Sequence, residues 1–222
     1  FPALWKAGVS FVIALVLTPV VPLPGAFPET LQEVLVGMLS EVVMGVCLGF
    51  GARLLFASVQ LAGQFMSFQM GFSMAGAIDP QEGTQSTFIS QFLYIFTILL
   101  FLALDGHHLF LAALAKSFAL VPPCAFSPKP NLSGILIQSS GQMFLVALKI
   151  SAPSLSAQFL SHLGLGIVAR TVPQVNILMI GFPVNISIGL ILFGLTLGSL
   201  SPYLIDLTRG TGELMLRMLK WM

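Results

Sequence analysis

Apolar residues are grouped along this chain into six long stretches, separated by short polar or proline-rich segments. They occupy residues 4–21, 31–69, 88–104, 109–121, 134–171 and 176–207. A helix needs about 20 apolar residues to cross a bilayer whose hydrocarbon core is about 30 Å thick. The pattern therefore predicts six helices, of which the fourth is short for a span and the second and fifth are longer than a span requires.

Prolines interrupt the fifth and sixth predicted helices, at Pro153 and Pro183. Proline removes a backbone amide donor and clashes with the preceding turn of a helix. We therefore expect both helices to be kinked, with the freed carbonyl groups bonded by neighbouring helices. The sixth helix is expected to give way to a separate basic stretch after residue 207.

The composition indicates a chain whose solvent is largely lipid or other apolar helices. Of its 222 residues, 56% are hydrophobic and only 8% are charged, whereas about a quarter are charged in soluble domains. The mean hydropathy is +0.98, and the net charge of +1 offers no basic surface to nucleic acid. The sequence predicts an all-α integral membrane protein that forms one domain over residues 1–222.

A stripe of small and charged residues follows one face of the second predicted helix. It consists of Gly37, Glu41, Gly45, Gly49 and Arg53. The four-residue spacing keeps these residues on one slowly drifting face, and small residues let helices approach closely in membranes. Charges inside a membrane segment point to partners or to a water-filled cavity. Packing within the chain and packing against other subunits both remain open interpretations.

Neither cysteine stands in a metal-ligand pattern, so Cys47 and Cys124 are expected to be free thiols. The first apolar stretch has the length of a signal-peptide core. However, prolines stand where a small-residue cleavage site belongs, and a membrane segment is therefore expected. The chain opens with Phe1 rather than methionine, and we expect its natural N-terminus to lie further upstream.

Signatures of enzymatic chemistry are sparse. The sequence has no glycine-rich loop ending in Gly-Lys-Ser or Gly-Lys-Thr, the pattern of a nucleotide-driven motor. Asp105, His107 and His108 stand together, but adjacent helical residues point about 100° apart at 3.6 residues per turn. A structural turn is the favoured interpretation of this cluster, and a metal site is the alternative. We predict no catalytic residue, no cofactor and no bound metal.

The end of the second predicted helix is rich in methionine and glycine. Met66, Met70 and Met74 are spaced by four residues and share a face if this segment is helical. Filling of a core is the common role of such methionines. A hydrophobic seal is the alternative, because thioethers and phenyl rings exclude water yet deform around a passing chain, while glycines allow movement.

Three ordered motifs resemble those of one protein family. The central motif is Gln69-Met70-Gly71-Phe72-Ser73, followed by Ile78-Asp79-Pro80. The C-terminal motif is Arg170-Thr171-Val172-Pro173-Gln174-Val175-Asn176, followed by Gly181-Phe182-Pro183. Between them, Asp105-Gly106-His107 is similar to a hairpin turn of that family. Because these motifs follow one another along most of the chain, the sequence resembles the FliR family of flagellar export proteins.

The resemblance implies tilted, kinked helical hairpins, similar to one FliP-like unit followed by one FliQ-like unit. It implies a protein of the bacterial inner membrane that joins FliP and FliQ in the export gate of the flagellar basal body and contacts FlhB. Unfolded flagellar proteins and membrane lipid are then its other partners. An apolar segment at the start of the family is missing from this sequence, so the topology at the N-terminus stays open.

The resemblance also assigns candidate site residues, because the plug loop of the family maps onto residues 70–85. The candidate plug or gate residues are Met66, Met70, Gly71, Phe72, Met74, Gly76, Asp79 and Pro80. The candidate packing and assembly residues are Gly37, Glu41, Gly45, Gly49, Arg53, Lys149, Arg170, Pro173, Gln174, Gly181 and Pro183. Among the second set, Arg170, Pro173 and Gln174 are implied to form a turn that contacts other subunits.

Other functions remain as alternatives to a flagellar export subunit. The corresponding subunit of a virulence type III secretion system has a related sequence, although Gly181-Phe182-Pro183 is more typical of the flagellar proteins. A secondary transporter is suggested by Glu41, Arg53 and Lys149 together with helices broken at proline. An intramembrane metalloenzyme would use Asp105 and the two neighbouring histidines.

Overall fold

The computed structural model of the chain describes residues 2–19, 21, 30–72, 88–121, 132–172, 174 and 177–220. Within these ranges, all the regular elements are helices. They are α1 (Ala3–Leu17), α2 (Leu31–Met70), α3 (Phe88–Ala103), α4 (Gly106–Leu120), α5 (Leu132–Thr171) and α6 (Ile177–Lys220). The predicted all-α fold is confirmed.

Local sequence explains where several of the helices end. α2 stops at Met70 because the next residue, Gly71, takes a left-handed φ of 89°, the usual conformation just past a helix C-terminus. α5 ends at Thr171, two residues before Pro173, since the residue before a proline is disfavoured in the helical region. Asp105 has a φ of 55° between α3 and α4, and this confirms the predicted turn.

The two proline-containing helices are continuous, and their predicted kinks stay a prediction. α5 has 40 residues and contains Pro153, and α6 has 44 residues and contains Pro183 and Pro202. The predicted end near residue 207 is wrong, because α6 continues to Lys220. In an apolar setting a broken helix leaves backbone groups without partners, so a helix that carries a proline costs less than one that stops.

Several helices have the length and composition of membrane spans. α2, α5 and most of α6 qualify, and a fourth span results if α3 and α4 count as one broken helix. At a rise of about 1.5 Å per residue, a 40-residue helix such as α2 is about 60 Å long, roughly twice the thickness of the hydrocarbon core. These helices are therefore longer than a perpendicular crossing needs.

The residues divide into two compact units that are not continuous in sequence. The first unit contains Phe1–Ala52, Asp105–Ile137 and Arg209–Met222. The second unit contains Arg53–Leu104 and Gln138–Thr208. Because α2, α5 and α6 each supply residues to both units, this division does not test the predicted single domain, which stays a prediction.

The core of the first unit is small and rich in sulfur. It is formed by Met44, Cys47, Leu48, Ala113, Val121, Leu132, Met215, Met218 and Leu219. Gly51 lies against the methionines of α6, with the Sδ of Met218 3.6 Å from the position that a Cβ would take. Cys47 is a buried free thiol, as predicted, and Cys124 lies outside the described residues.

The core of the second unit is larger and contains the end of α2. It is formed by Val59, Ala62, Met66, Met70, Ile89, Leu93, Ala147, Ile150, Phe193, Leu200 and Leu204. α2 and α3 are in closest contact at Gly63, where a Cβ would lie 2.5 Å from the Cα of Ser90. Nearby, the ring of Phe56 packs edge-on against that of Phe101, with centroids 5.3 Å apart.

Much of the apolar surface faces outward. No described residue of α1 is buried, and Trp5 and Phe11 are 69% and 70% exposed. Large apolar side chains along α2, α5 and α6 are exposed in the same way, among them Leu39, Leu160 and Ile191. Apolar surface of this extent is covered by lipid or by other proteins.

Candidate functional site

The predicted plug segment begins where α2 ends, at Met70, Gly71 and Phe72. We call these three residues the α2 exit. The amide of Gly71 donates a hydrogen bond to the carbonyl oxygen of Phe68 at 3.1 Å, which closes the last turn of the helix. The positive φ of Gly71 then redirects the chain. Such a φ is strained for residues that carry a Cβ, so this one glycine sets the direction in which the backbone leaves α2.

The two described methionines of the predicted stripe share one buried face of α2. Met66 and Met70 are both 0% exposed and belong to the core of the second unit. The expectation that they lie on one face is confirmed for this pair. Met74, Gly76, Asp79 and Pro80 lie outside the described residues, so their predicted place in a plug stays a prediction.

The α2 exit is held against α6 at two points. A Cβ at Gly189 would lie 2.4 Å from the Cγ of Met70. A Cβ at Gly71 would lie 3.0 Å from the Cε1 of Phe182. Phe182 and Gly189 are seven residues apart, about two turns, and therefore share one face of α6. Both contacts depend on a glycine, Gly71 at the α2 exit and Gly189 on α6.

A group of polar side chains connects α5 to α6 beside this contact. We call Gln158, Ser161, His162 and Asn185 the polar network. The Nε2 of Gln158 donates to the carbonyl oxygen of Asn185 at 2.7 Å. The hydroxyl of Ser161 donates to the Oδ1 of Asn185 at 2.7 Å. The Nδ2 of Asn185 lies 3.3 Å from the Nδ1 of His162, which accepts when the ring is the Nε2–H tautomer.

Two buried polar atoms next to the network lack partners within the described part of the chain. They are the Oε1 of Gln158 and the Oγ of Ser154. Both residues are 0% exposed and are four residues apart on α5. An unsatisfied buried polar group costs about 1–3 kcal/mol. Both residues belong to a polar face of α5, on which Ser151, Ser154, Gln158 and Ser161 recur at helical spacing.

The chain matches the family described as bacterial export proteins, family 1, over residues 1–210. It belongs to this family. The flagellar biosynthetic protein FliR of Bacillus subtilis (strain 168) is 37% identical over 194 residues, which cover 86% of this chain and 74% of that protein. FliR of Pectobacterium carotovorum subsp. carotovorum is 31% identical over 201 residues, with 89% and 76% coverage. FliR of Escherichia coli (strain K12) is 26% identical over 198 residues, with 89% and 76% coverage.

Membership of the bacterial export family agrees with the fold. Three helices of spanning length and flagellar relatives over most of the chain identify an all-α, multi-pass protein of the bacterial inner membrane. The protein is thus a bacterial export component. The resemblance in the three sequence motifs is confirmed by matches that extend far beyond them.

The predicted stripe of this export protein is divided in the structure. Gly37 is buried and Glu41 is half-buried. Gly45 and Gly49 are exposed, and no described atom lies within 4 Å of a Cβ built at either residue. Arg53 is exposed. Packing within the described chain therefore does not explain Gly45 and Gly49, whereas Gly37 is buried.

The remaining candidate assembly residues are mostly at the surface. Lys149, Arg170, Gln174 and Pro183 are exposed. Gly181 is buried, and a Cβ there would contact the Cδ1 of Leu165 at 3.4 Å. Pro173 lies outside the described residues. The assembly role of these residues stays a prediction.

The turn between α3 and α4 brings three potential metal ligands together. One ligand atom from each of Asp105, His107 and His108 lies within 4.8 Å of the others. The two imidazole rings have centroids 4.1 Å apart, so the expectation that they diverge is wrong. The Nδ1 of His108 lies 3.3 Å from the Oδ1 of Asp105. Both side chains are mainly exposed, which is typical of a surface turn at a helix start.

Three features of the site were missed by sequence analysis, namely Asn185, Phe182 at the α2 exit and Gly189. Asn185 is 7% exposed and makes contacts to three residues of α5. An asparagine within an apolar helix was the available signal, because a polar side chain at membrane depth needs a partner. A single glycine such as Gly189 carries no comparable signal.

Proposed function

We propose that this chain is a subunit of the flagellar type III protein export gate. In this proposal it assembles with FliP and FliQ, contacts FlhB, and forms part of the channel through which unfolded flagellar proteins cross the inner membrane. It performs no chemistry on its cargo. The flagellar proteins that resemble the chain over most of its length support this assignment.

The observation that carries the proposal is the contrast between the packed α2 exit and the unpacked faces of the long helices. Gly45 and Gly49 on α2 and Gly194 and Gly198 on α6 have no described atom within 4 Å of a built Cβ. Small residues on apolar helices are the usual means of close helix approach in membranes. These faces are therefore suited to other helical subunits.

The α2 exit supplies the gate. Met66 and Met70 are fully buried, and Phe72 follows a glycine that redirects the chain. Flexible thioethers and aromatic rings exclude water from a constriction and still rearrange around a polypeptide. In the closed channel, residues 70–85 act as the plug. Cargo displaces this segment and passes.

Recovery of the complex tests the assignment. The chain is expressed with FliP and FliQ, purified through a tag on one partner, and weighed by native mass spectrometry. We expect one stable complex that contains all three proteins. Recovery of the chain as a stable monomer, with neither partner bound, would contradict the proposal.

Deletion of residues 71–83 tests the plug. We expect the assembled complex to leak small ions when it is reconstituted in vesicles, because the constriction has lost its filling. Ion efflux from vesicles measures this, with the undeleted complex as control. Efflux equal to that of the control would count against a plug in this segment.

A further inference from the structure

α6 places a residue without a side chain directly opposite the last residue of α2. Gly189 is buried, and a Cβ there would lie 2.4 Å from the Cγ and 2.6 Å from the Cε of Met70. Real Cβ atoms essentially never have contacts under 3.0 Å. While Met70 keeps its position, only glycine fits at residue 189.

The atoms around Gly189 belong to two long side chains that are fully buried. Met70 is 0% exposed within the core of the second unit. Gln158 is also 0% exposed, and its Nε2 lies 2.6 Å from the same built Cβ. That Nε2 is held by its 2.7 Å hydrogen bond to the carbonyl oxygen of Asn185. A methyl group at residue 189 must therefore displace Met70, break this hydrogen bond, or do both.

Displacement of Met70 moves the point at which the chain leaves α2. Met70 is the last residue of the helix, and Gly71 follows with its φ of 89°. A Cβ at Gly71 would in turn lie 3.0 Å from the Cε1 of Phe182, which is two turns before Gly189 on α6. The contact of Met70 with α6 therefore fixes where α2 ends and where the redirected backbone begins.

The arrangement around Met70 is not what stability alone favours. The Oε1 of Gln158 and the Oγ of Ser154 are buried without partners in the described residues. Most buried polar atoms in folded proteins are paired, and local rules are broken mainly at functional sites. A leucine at residue 158 would fill similar volume without burying an unpaired oxygen. The amide of Gln158 instead donates to the carbonyl oxygen of Asn185, and its Nε2 lies where a side chain at residue 189 would begin.

We propose that Gly189 and Gln158 are positioning residues of the gate. Gly189 leaves the space that the side chain of Met70 occupies, and we call this space the seat. Gln158 borders the seat and is held in place by its hydrogen bond to Asn185. Together the two residues hold the α2 exit in its closed position. This inference rests on the proposed export function, and it concerns only how the closed position is maintained. Neither residue contacts the cargo.

A mutant series in the assembled complex tests the seat. The complex with FliP and FliQ is reconstituted in vesicles, and ion efflux is measured for the wild type, Gly189→Ala, Met70→Ala and the double variant. We expect Gly189→Ala to raise efflux about tenfold, which corresponds to about 1.4 kcal/mol in the closing equilibrium. In the double variant the shorter side chain removes the clash between the added methyl group and Met70, and the contact with the Nε2 of Gln158 remains. Efflux should then fall back towards the wild type, as non-additive coupling between contacting residues.

Gly210→Ala is the matched control, because it adds the same methyl group to the same helix with no described atom within 4 Å, at a residue outside the faces proposed to meet other subunits. We expect wild-type efflux from it. Wild-type efflux from Gly189→Ala would overturn the proposal. Additive leakage in the double variant would overturn it as well, because Met70 would then not be the residue that Gly189 seats.

A second variant covers the case in which Gly189→Ala prevents assembly. Gln158→Leu keeps the volume and removes the hydrogen bond to Asn185, so we expect an assembled complex with a smaller leak. A sealed Gln158→Leu complex would overturn the role of Gln158.

The deletion of residues 71–83 separates the two proposals, namely the plug and the seat of Met70. If the deletion variant leaks while Gly189→Ala and Gln158→Leu stay sealed, the positioning role of Gly189 and Gln158 is wrong, whereas the proposed plug is supported. If the deletion is also sealed, the plug itself is wrong.

Discussion

Two groups among the glycines of the long helices differ in their surroundings, although the sequence does not distinguish them. We call Gly63 and Gly189 the packed glycines, because a Cβ at either would lie 2.5 Å or less from another residue of the second unit. We call Gly45, Gly49, Gly194 and Gly198 the open glycines, because no described atom lies within 4 Å of a Cβ there. Packed glycines let helices of one chain touch. Open glycines have no such neighbour in the described chain.

The largest expected effect is at a packed glycine. In Gly63→Ala, the new Cβ would lie 2.5 Å from the Cα of Ser90, a backbone atom that cannot rotate away. Overpacking of this kind costs about 1–3 kcal/mol, more than the gain of up to about 1 kcal/mol in helix propensity. We expect lower resistance to protease and a lower amount of the chain in membranes.

Gly49→Ala is the matched control for this prediction, since it adds the same group to the same helix without a described contact. We expect the isolated control chain in detergent to be at least as protease-resistant as the wild type. Equal resistance of both variants would show that the α2–α3 contact at Gly63 is not tight.

An intermediate effect is expected at the open glycines, and on assembly rather than on the chain itself. In Gly45→Leu and Gly49→Leu, a large side chain projects from the face proposed to meet another subunit. We expect recovery with FliP and FliQ to fall about tenfold, equivalent to about 1.4 kcal/mol. The amount of the chain in membranes without partners should be unchanged, and immunoblotting of both fractions measures the difference. Normal co-purification would show that these glycines face lipid.

The smallest effect is expected in the polar network. Ser161→Ala removes the hydroxyl that donates to the Oδ1 of Asn185. Hydrogen bonds between membrane helices contribute about 0.6 kcal/mol on average, so thermal unfolding in detergent should shift only slightly. Ser156→Ala is a control on the exposed side of the same helix. A loss as large as that of Gly63→Ala would mean that the network, and not helix packing, dominates the stability of the second unit.

Most of the fold follows from the sequence because apolar length is a strong signal in membrane proteins. The predicted stretch at residues 31–69 became α2, Leu31–Met70, and residues 88–104 became α3, Phe88–Ala103. The prediction failed at the end of the sixth helix. The charged residues after Leu207 predict an end there, whereas α6 continues to Lys220 because an apolar environment penalises an interrupted backbone.

The candidate site was predictable only in part. The spacing of Met66 and Met70 placed both on one face of α2, since that spacing depends on α2 alone. Gly189 was not found, because its role depends on which residue of another helix lies opposite. The four-residue stripe on α2, unlike Gly189, was evident in the sequence. However, a Cβ at Gly45 or Gly49 of that stripe has no described neighbour within 4 Å. The spacing of residues along one helix shows which residues share a face, but it does not show which residues of other helices pack against that face.

The length of the helices has a consequence for how the protein is made. A 40-residue helix of about 60 Å exceeds the bilayer core by about 30 Å, and a newly inserted chain meets that mismatch by tilting or by deforming the lipid. Subunits that surround the excess length remove this cost. A chain that fails to find them stays in a strained membrane state, exposed to the proteases that clear unassembled subunits. For the proposed assembly, synthesis in step with the partners would shorten the time that the chain spends in this state.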